Sequence, residues 1–275
     1  MPRASEAAAV TPHRSKKTLV HPSAVVHPKA QLGEGVTIGP YAVIAAPVTI
    51  GPRTRIGAHC IIEGRTTIGA DCELFTGAVV GSIPQDLKYC GEESLLLIGD
   101  RNKIREYVTI NRGTLGGGGK TVVGSDCLLM AYSHIAHDCQ VGHHVIMANS
   151  AALAGHITVE DHATVGGLVG VHQFVRVGVL AFIGGCSRVS QDVPPYATVV
   201  GYPATVHGLN REGLRRAGVS REVRQQLTRA FKILFYSQLS MSHALTELEQ
   251  EPTPCPEVQR LLAFIRASKR GVCRA

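Results

Sequence analysis

The sequence contains no tryptophan, only 5 % aromatic residues and no Cys-x-x-Cys pair. A core built on large aromatic side chains is therefore excluded, and a zinc site of paired cysteines is disfavoured. The chain also lacks an apolar run of the roughly 18 to 20 residues that cross a bilayer, and no apolar segment follows its basic N-terminus. We therefore expect a cytoplasmic protein without a membrane span, whose eight cysteines form no disulfides.

The sequence is rich in glycine, and its C-terminal part is rich in positive charge. Thirty glycines among 275 residues predict many tight corners along the chain. The formal net charge is +7, and residues 207–275 hold twelve Lys and Arg against six Asp and Glu. A segment with that balance suits an anionic partner.

An aliphatic residue recurs every six positions over residues 20–80, 98–110 and 123–189, which makes 26 hexads. A period of six fits neither the 3.6 of a helix nor the alternation of a plain strand. It predicts short strands joined by corners, with three strands in each coil of 18 residues and about 4.8 Å between coils. Four cysteines occupy the small inward position of the repeat: Cys60, Cys72, Cys127 and Cys139.

Breaks in the period divide the chain. Residues 1–18 have no periodicity and are predicted to form an N-terminal arm, while residues 19–207 form the β-solenoid. Loops near 81–97 and 115–121 interrupt the hexads, and inserted loops of this kind commonly line a site. Residues 208–275 are predicted to form a helical domain.

Helical spacing replaces the hexads in this last part of the chain. Val223, Leu227, Phe231 and Leu234 share one face behind Ser220, which is a plausible N-cap. Residues 258–265 contain a second apolar stripe, so the segment is predicted to contain at least two helices.

Seven of the 13 histidines fall within residues 134–172. Because residues 18 apart lie over one another, positions 155 and 173 stack on His137. His156 and His172 are each one residue from those positions, so the three histidines are predicted to form a stripe across three successive coils. Imidazole can take a proton from a hydroxyl group and return it to a leaving group. The stripe therefore favours general acid–base catalysis over a purely structural role.

Two neighbours of His137 complete this interpretation. Asp138 could orient the His137 ring if the chain turns there, since adjacent residues of a strand point oppositely. Gly155 stacks beside His137 and lacks a Cβ, so its backbone N–H could approach a developing oxyanion.

Several motifs occur in a fixed order. They are I-P-Q-D-L-K at 83–88, N-R-G-T at 111–114, H-I-A-H-D-C at 134–139, L-A-G-H at 153–156, V-H-Q-F at 171–174, G-G-C-S at 184–187, Q-D-V-P-P-Y at 191–196 and G-L-N-R-E-G-L at 208–214. Together they resemble the UDP-N-acetylglucosamine O-acyltransferases, hexapeptide-repeat enzymes of the first step of lipid A biosynthesis. The resemblance covers about residues 18–240.

The resemblance implies a left-handed parallel β-helix with a C-terminal helical domain, assembled as a homotrimer with sites between subunits. It implies transfer of an R-3-hydroxyacyl chain from acyl carrier protein to the 3-hydroxyl of UDP-N-acetylglucosamine. No cofactor, metal, nucleic acid or membrane span is expected. The basic C-terminal region would meet the acidic carrier protein.

The family's residue roles also carry over by position. His137 matches the general base with Asp138 beside it, and Gly155 matches the oxyanion amide. The positions that match sugar or acyl contacts are Asp86, Lys88, His134, His156, His172 and Gln173. The positions that match nucleotide contacts are Asn210, Glu212 and Arg216, although family members often carry their arginine pair one position later than Arg215 and Arg216.

Gly185 resembles the family's ruler residue, which sets the length of the acyl chain that fits. A glycine at this position lets a longer chain pass. It lies 48 residues beyond His137, which corresponds to roughly 13 Å along the solenoid axis. An acyl chain anchored at His137 and running along the solenoid would meet that level near its far end, so a preference for long donors is expected.

Four alternatives remain open at this point. An N-acyltransferase acting on a UDP-3-amino sugar usually has an additional N-terminal uridine-binding domain, whereas about 18 residues precede the first hexad here. A non-catalytic β-helix scaffold would have no polar stripe, and a coenzyme A-dependent acetyltransferase shares the hexads. A zinc-dependent carbonic anhydrase of this architecture would need a His-x4-His pair, which the sequence lacks.

Overall fold

Short parallel strands coil into a three-sided solenoid in the computed structural model, which describes residues 17–250 and 254–275. Sheet A contains β1 (Leu19–Val20), β4 (Thr37–Ile38), β7 (Arg55–Ile56), β10 (Glu73–Leu74), β13 (Lys103–Ile104), β16 (Leu128–Leu129), β19 (Ile146–Met147), β22 (Thr164–Val165), β25 (Phe182–Ile183) and the terminal hairpin of β27 (Ala197–Gly201) and β28 (Ala204–Leu209). Sheet B contains β2 (Val25–Val26), β5 (Val43–Ile44), β8 (Ile61–Ile62), β11 (Val79–Ser82), β14 (Thr109–Asn111), β17 (His134–Ile135), β20 (Ala152–Leu153), β23 (Gly170–Val171) and β26 (Arg188–Val189). Sheet C contains β3 (Gln31–Leu32), β6 (Val48–Ile50), β9 (Arg65–Ile68), β12 (Leu95–Ile98), β15 (Lys120–Val123), β18 (Gln140–Val141), β21 (Thr158–Val159) and β24 (Arg176–Val177).

The predicted period is confirmed, because each of β1 to β26 contains one of the 26 hexad residues. From Ile38 onward every hexad residue is buried, while those of the first coil remain partly exposed. The fold is thus the left-handed parallel β-helix that the motifs implied. Its core is a column of stacked aliphatic side chains. The small inward residues leave room for these side chains to pack closely.

The cysteines behave as small core residues. All eight are free, and the four at the inward position of the repeat are buried. Burial raises the pKa of the Cys127 thiol to about 11 and that of Cys139 to about 12. These two thiols are therefore protonated at neutral pH and unreactive as nucleophiles.

Both insertions leave the solenoid at the same corner, between sheet B and sheet C, which we call the B–C corner. The first occupies residues 83–94 between β11 and β12, and the second occupies residues 112–119 between β14 and β15, with a 3-10 turn at Leu115–Gly117. The first is shorter than the loop predicted near 81–97, because the flanking residues pair in register with neighbouring strands. The second begins three residues before the loop predicted near 115–121 and ends two residues before it. The first insertion lies two coils before the corner that follows β17, and the second insertion lies one coil before it.

Over the described residues after the hairpin the chain forms four helices: α1 (Arg211–Arg216), α2 (Arg221–Tyr236), α3 (Met241–Glu249) and α4 (Pro256–Arg266). The two predicted apolar stripes lie on α2 and α4, and the Ser220 side chain accepts a hydrogen bond from the Val223 amide as N-cap. Among the described residues no helix is both long and apolar enough to cross a bilayer. The predicted arm of residues 1–18 lies outside the described residues, apart from its last two positions.

After α4 the chain returns to the solenoid as a segment of residues 267–275, which we call the C-terminal strap. Val272 pairs with Asp192 in a parallel bridge, the Asp192 amide donates to the Gly271 carbonyl at 3.0 Å, and the Cys273 amide donates to the Asp192 carbonyl at 2.8 Å. Asp192, Val272 and Cys273 are buried. The strap therefore fixes the end of the helical segment against the last coil.

Candidate active site

His137 and Asp138 occupy the B–C corner after β17. Asp138 has φ 61°, a left-handed corner conformation, and its carboxylate Oδ2 lies 2.8 Å from Nδ1 of His137. The turn that the sequence argument required is therefore present. Because the carboxylate accepts the Nδ1 proton, Nε2 is left with its lone pair and can accept a proton from a substrate.

The second insertion holds the Asp138 carboxylate. Oδ1 accepts from the Thr114 amide at 2.8 Å, and Oδ2 accepts from the Thr114 hydroxyl at 2.7 Å. The Asp138 amide donates to the Thr121 hydroxyl at 2.8 Å, and the Asp138 side chain is fully buried. Sequence reasoning did not identify either threonine as a site residue, although Thr114 ends one of the family motifs.

Gly117 packs directly on the Asp138 carboxylate, because a Cβ added there would collide with it. We expect Gly117→Ala to displace the carboxylate or the turn that covers it, and so to misplace the His137 ring. Turnover should fall on the order of 10²-fold, which is the typical cost of such a displacement. Steady-state measurement of kcat for the variant tests this effect.

Gly116→Ala is the matched control, because a Cβ at that position would meet only the Thr114 hydroxyl, at 4.0 Å. It should retain nearly full turnover. Equal activities of the two variants would show that the second insertion does not position Asp138.

Gly155 lies directly under the His137 imidazole. A Cβ there would stand 2.6 Å from Cε1 and 2.7 Å from Nε2 of His137, so only glycine fits. Within the described part of the chain the Gly155 amide N–H donates to no acceptor. A free amide beside the basic nitrogen can bind a negatively charged oxygen formed there.

His156 completes the corner. Its ring lies edge-on to His137 at 5.1 Å, and its Nδ1 is 3.8 Å from the Asp138 carboxylate. Its other face stacks on the Phe174 ring at 4.5 Å. The third member of the predicted histidine stripe is therefore Phe174, and the placement of His172 in that stripe is wrong. Stacking requires a separation of 18 residues, whereas His172 follows His156 by 16.

His172 instead lines a hollow of about 410 Å³ on sheet B, together with His134 and Arg188. His134 Nδ1 lies 2.7 Å from the Thr109 hydroxyl. Burial, and secondarily the charge of His137, lowers the pKa of His134 below its ordinary value. His134 is therefore a neutral hydrogen-bonding group at neutral pH, and Gln173 is exposed beside His172.

His137, Asp138 and His156 offer nitrogen and oxygen atoms that all lie within 4.8 Å of one another. Two imidazoles and a carboxylate form a donor set that a divalent metal can accept. Both carboxylate oxygens of Asp138, however, already accept hydrogen bonds from Thr114. The geometry is thus better suited to orienting an imidazole for proton transfer.

The predicted contacts Asp86 and Lys88 lie on the first insertion, where the Lys88 amide donates to the Asp86 carboxylate at 3.0 Å. The insertion is tied to sheet B because the Asn111 side chain donates to the Ile83 carbonyl at 3.0 Å. Lys88 is exposed, so its ammonium group is available to a ligand.

The predicted nucleotide contacts lie on another side of the solenoid. Asn210, Glu212 and Arg216 line a cavity of about 740 Å³ between α1 and sheet A, near the stacked rings of His144 and His162. Hydrogen bonds from Arg215 and then Arg216 lower the pKa of the Glu212 carboxyl to about 2. Arg216 lines the cavity and remains exposed, so it can bind a phosphate.

Gly185 lies at another corner of the solenoid, between β25 of sheet A and β26 of sheet B. A Cβ there would meet only the Gly167 backbone, at 3.2 Å from its carbonyl oxygen. Gly185 and His137 therefore lie at the two opposite edges of sheet B, so an acyl chain that joins them would have to cross this sheet as well as follow the axis, a displacement that the sequence argument did not include. The predicted site residues form separate groups around a single chain.

Comparisons with known proteins agree on one family. The model of the family described as "UDP N-acetylglucosamine O-acyltransferase; Domain 2" matches residues 192–273, and the bacterial transferase hexapeptide model matches residues 120–155. The acyl-(acyl-carrier-protein)-UDP-N-acetylglucosamine O-acyltransferase of Trichlorobacter lovleyi is 57% identical over 93% of this chain and 99% of its own length. The protein of the same name from an Anaeromyxobacter species is 49% identical, with the same coverage. The structure of LpxA from Acinetobacter baumannii has a TM-score of 0.90 at 43% identity and covers 93% of this chain and 100% of its own.

Proposed function

The chain belongs to the UDP-N-acetylglucosamine O-acyltransferase family, and from this membership we propose how its own residues carry out the reaction. The chain transfers an R-3-hydroxyacyl group from acyl carrier protein to the 3-hydroxyl of UDP-N-acetylglucosamine, the first step of lipid A biosynthesis. The observation that carries the assignment of roles is the His137 imidazole, held by Asp138 above the free amide of Gly155.

In this proposal Nε2 of His137 removes the proton of the sugar hydroxyl as its oxygen attacks the thioester carbonyl. The Gly155 amide donates to the oxyanion of the tetrahedral intermediate, and Asp138 stabilises the imidazolium. The intermediate then expels the thiol of the carrier, which receives the proton back from Nε2. A positioned base of this kind contributes on the order of 10² to 10⁴ in rate.

The remaining predicted residues would bind the two substrates. His134, fixed by Thr109, and His156, fixed between His137 and Phe174, would contact the sugar or the acyl group beside the base. Asp86 and Lys88 would approach from the first insertion, His172 from the hollow on sheet B, and Gln173 from the B–C corner beside it. Asn210, Glu212 and Arg216 would bind the nucleotide, with the Arg216 guanidinium on a phosphate.

We also propose a homotrimer, since the groups around His137, in the cavity beside α1 and at Gly185 lie on different sides of one chain, and neighbouring subunits would bring them together. Support comes from an exposed apolar row along the A–B corner, the corner between sheet A and sheet B that carries Gly185. Tyr41, Tyr107, Tyr132 and Leu168 are 62, 49, 62 and 66 % exposed there. A surface of this kind is typical of a subunit contact.

Sedimentation analysis should therefore give a trimer at assay concentrations. Tyr132→Glu should weaken the assembly and lower activity together, because it places charge in the apolar row. An active monomer would contradict the proposed trimer.

For the carrier protein we propose the basic surface of the helices. Arg211, Arg221 and Arg224 line a hollow of about 260 Å³ between the solenoid and α2. Carrier proteins are acidic, so opposite charges would guide the encounter, and the cytoplasmic location we propose follows from use of this donor.

The function is tested by supplying 3-hydroxyacyl carrier protein with either UDP-N-acetylglucosamine or the corresponding UDP-3-amino sugar. We expect an ester product from the first acceptor. An amide from the second acceptor alone would favour the N-acyltransferase, and no product from either would favour a scaffold.

A further inference from the structure

The C-terminal strap places a guanidinium group beside a predicted substrate contact. Arg270 Nη2 lies 3.2 Å from Nδ1 of His172, and Arg270 Nε donates to the Ser190 carbonyl at 3.3 Å. The two residues are 98 positions apart in the sequence, and Arg270 is half-buried. This contact is produced by the strap rather than by the coils.

Nδ1 of His172 has two polar neighbours with opposite requirements. The carbonyl oxygen of Gln173 lies 3.2 Å away and can only accept, so it requires a proton on Nδ1. The Arg270 guanidinium can only donate, so it requires the lone pair on Nδ1. In the neutral imidazole the two neighbours therefore select different tautomers.

We propose that Arg270 is a positioning residue, which selects the His172 tautomer with its proton on Nε2 and so makes that nitrogen a hydrogen-bond donor to an oxygen of the bound substrate. The inference rests on the proposed acyltransfer reaction, in which His172 contacts the sugar or the acyl group. A guanidinium is suited to this task because it stays charged and holds its donors in a rigid plane.

The way the strap is built supports the assignment. Two elements fix the backbone around Arg270: the parallel bridge of Val272 with Asp192, and the hydrogen bond from the Ser268 hydroxyl to the Asp192 carboxylate at 2.8 Å. The other carboxylate oxygen of Asp192 accepts from the Arg176 amide at 2.9 Å. The buried residue Asp192 therefore holds the segment that carries the Arg270 guanidinium, and this segment is not a loose chain end.

The test compares Arg270→Ala with the wild-type trimer. We expect kcat/KM to fall about tenfold to a hundredfold, the typical effect of a lost charge-assisted hydrogen bond. Millimolar guanidinium ion should restore part of the activity of Arg270→Ala, and Arg270→Lys should be intermediate because it keeps the charge without the planar donors. Nitrogen chemical shifts of labelled His172 should report the Nε2–H form in the wild type and a mixture in Arg270→Ala.

Lys269→Ala is the matched control, since this exposed residue belongs to the same strap. It should leave kcat/KM, the His172 tautomer and the midpoint of thermal unfolding unchanged. Unchanged His172 shifts in Arg270→Ala, or a loss of activity that guanidinium does not restore, would overturn the inference. A wild-type protein inactive on every acceptor would instead contradict the proposed function, while the nitrogen shifts would still test Arg270.

Discussion

His137→Ala should remove nearly all turnover while UDP-sugar binding stays within a few-fold of the wild type. In the proposed mechanism the imidazole acts on the transition state, whereas Asn210, Glu212 and Arg216 bind the nucleotide, so kcat should be affected far more than binding. The expected loss is on the order of 10² to 10⁴-fold. Single-turnover kinetics and calorimetric titration with the UDP-sugar measure the two quantities separately.

His21→Ala provides the control, because that exposed histidine lies in the first coil, where its ring forms hydrogen bonds with Ser23. Its activity should match the wild type. If His137→Ala kept more than about a tenth of the wild-type turnover at saturating substrate, His137 would not be the principal base.

Gly185→Met should change the choice of donor from long to short 3-hydroxyacyl chains. The site around Gly185 is open except for the Gly167 backbone, so a methionine side chain can extend outward into the space beside the corner. Each methylene group excluded from an apolar groove costs about 0.8 kcal/mol, so blocking several changes selectivity by orders of magnitude. Competition between donors of graded length measures the ranking.

The graded variant Gly185→Ala should shift the ranking less, because its Cβ alone adds little volume. An unchanged ranking in Gly185→Met would make the ruler assignment wrong. Because Gly185 and His137 lie at different corners of one chain, the predicted effect requires an acyl chain that passes from one corner to the other, within one subunit or to a neighbouring subunit of the proposed trimer.

The repeat could be predicted from the sequence because its period is a property of strand geometry. One inward side chain per short strand fixes both the spacing of the aliphatic residues and the pairing of coils, so the strands from Val20 to Val189 follow directly. The capping of α2 by Ser220 was predicted for a similar reason, since the cap and the apolar stripe are local signals.

Contacts made by non-repetitive segments could not be predicted in this way. The bond of Thr114 to Asp138 depends on how the second insertion folds back, and the approach of Arg270 to His172 depends on the path of the strap. The period contains no information about either path. The position of His172 differs from the predicted stripe for another reason: only the residue 18 positions after His156 stacks on it, and that residue is Phe174, whereas His172 precedes it by two positions.

The two insertions also bear on how this fold acquires new specificities. Leu95–Ile98 pairs in unbroken register with Arg65–Ile68 on one side and with Lys120–Val123 on the other, although an insertion separates each pair in sequence. A solenoid corner can therefore accept or lose residues without disturbing the hydrogen bonds of the coils. Exchange of these loops among homologous chains offers a modular route to altered acceptors, in which evolution or a designer changes recognition while the folding core is inherited intact.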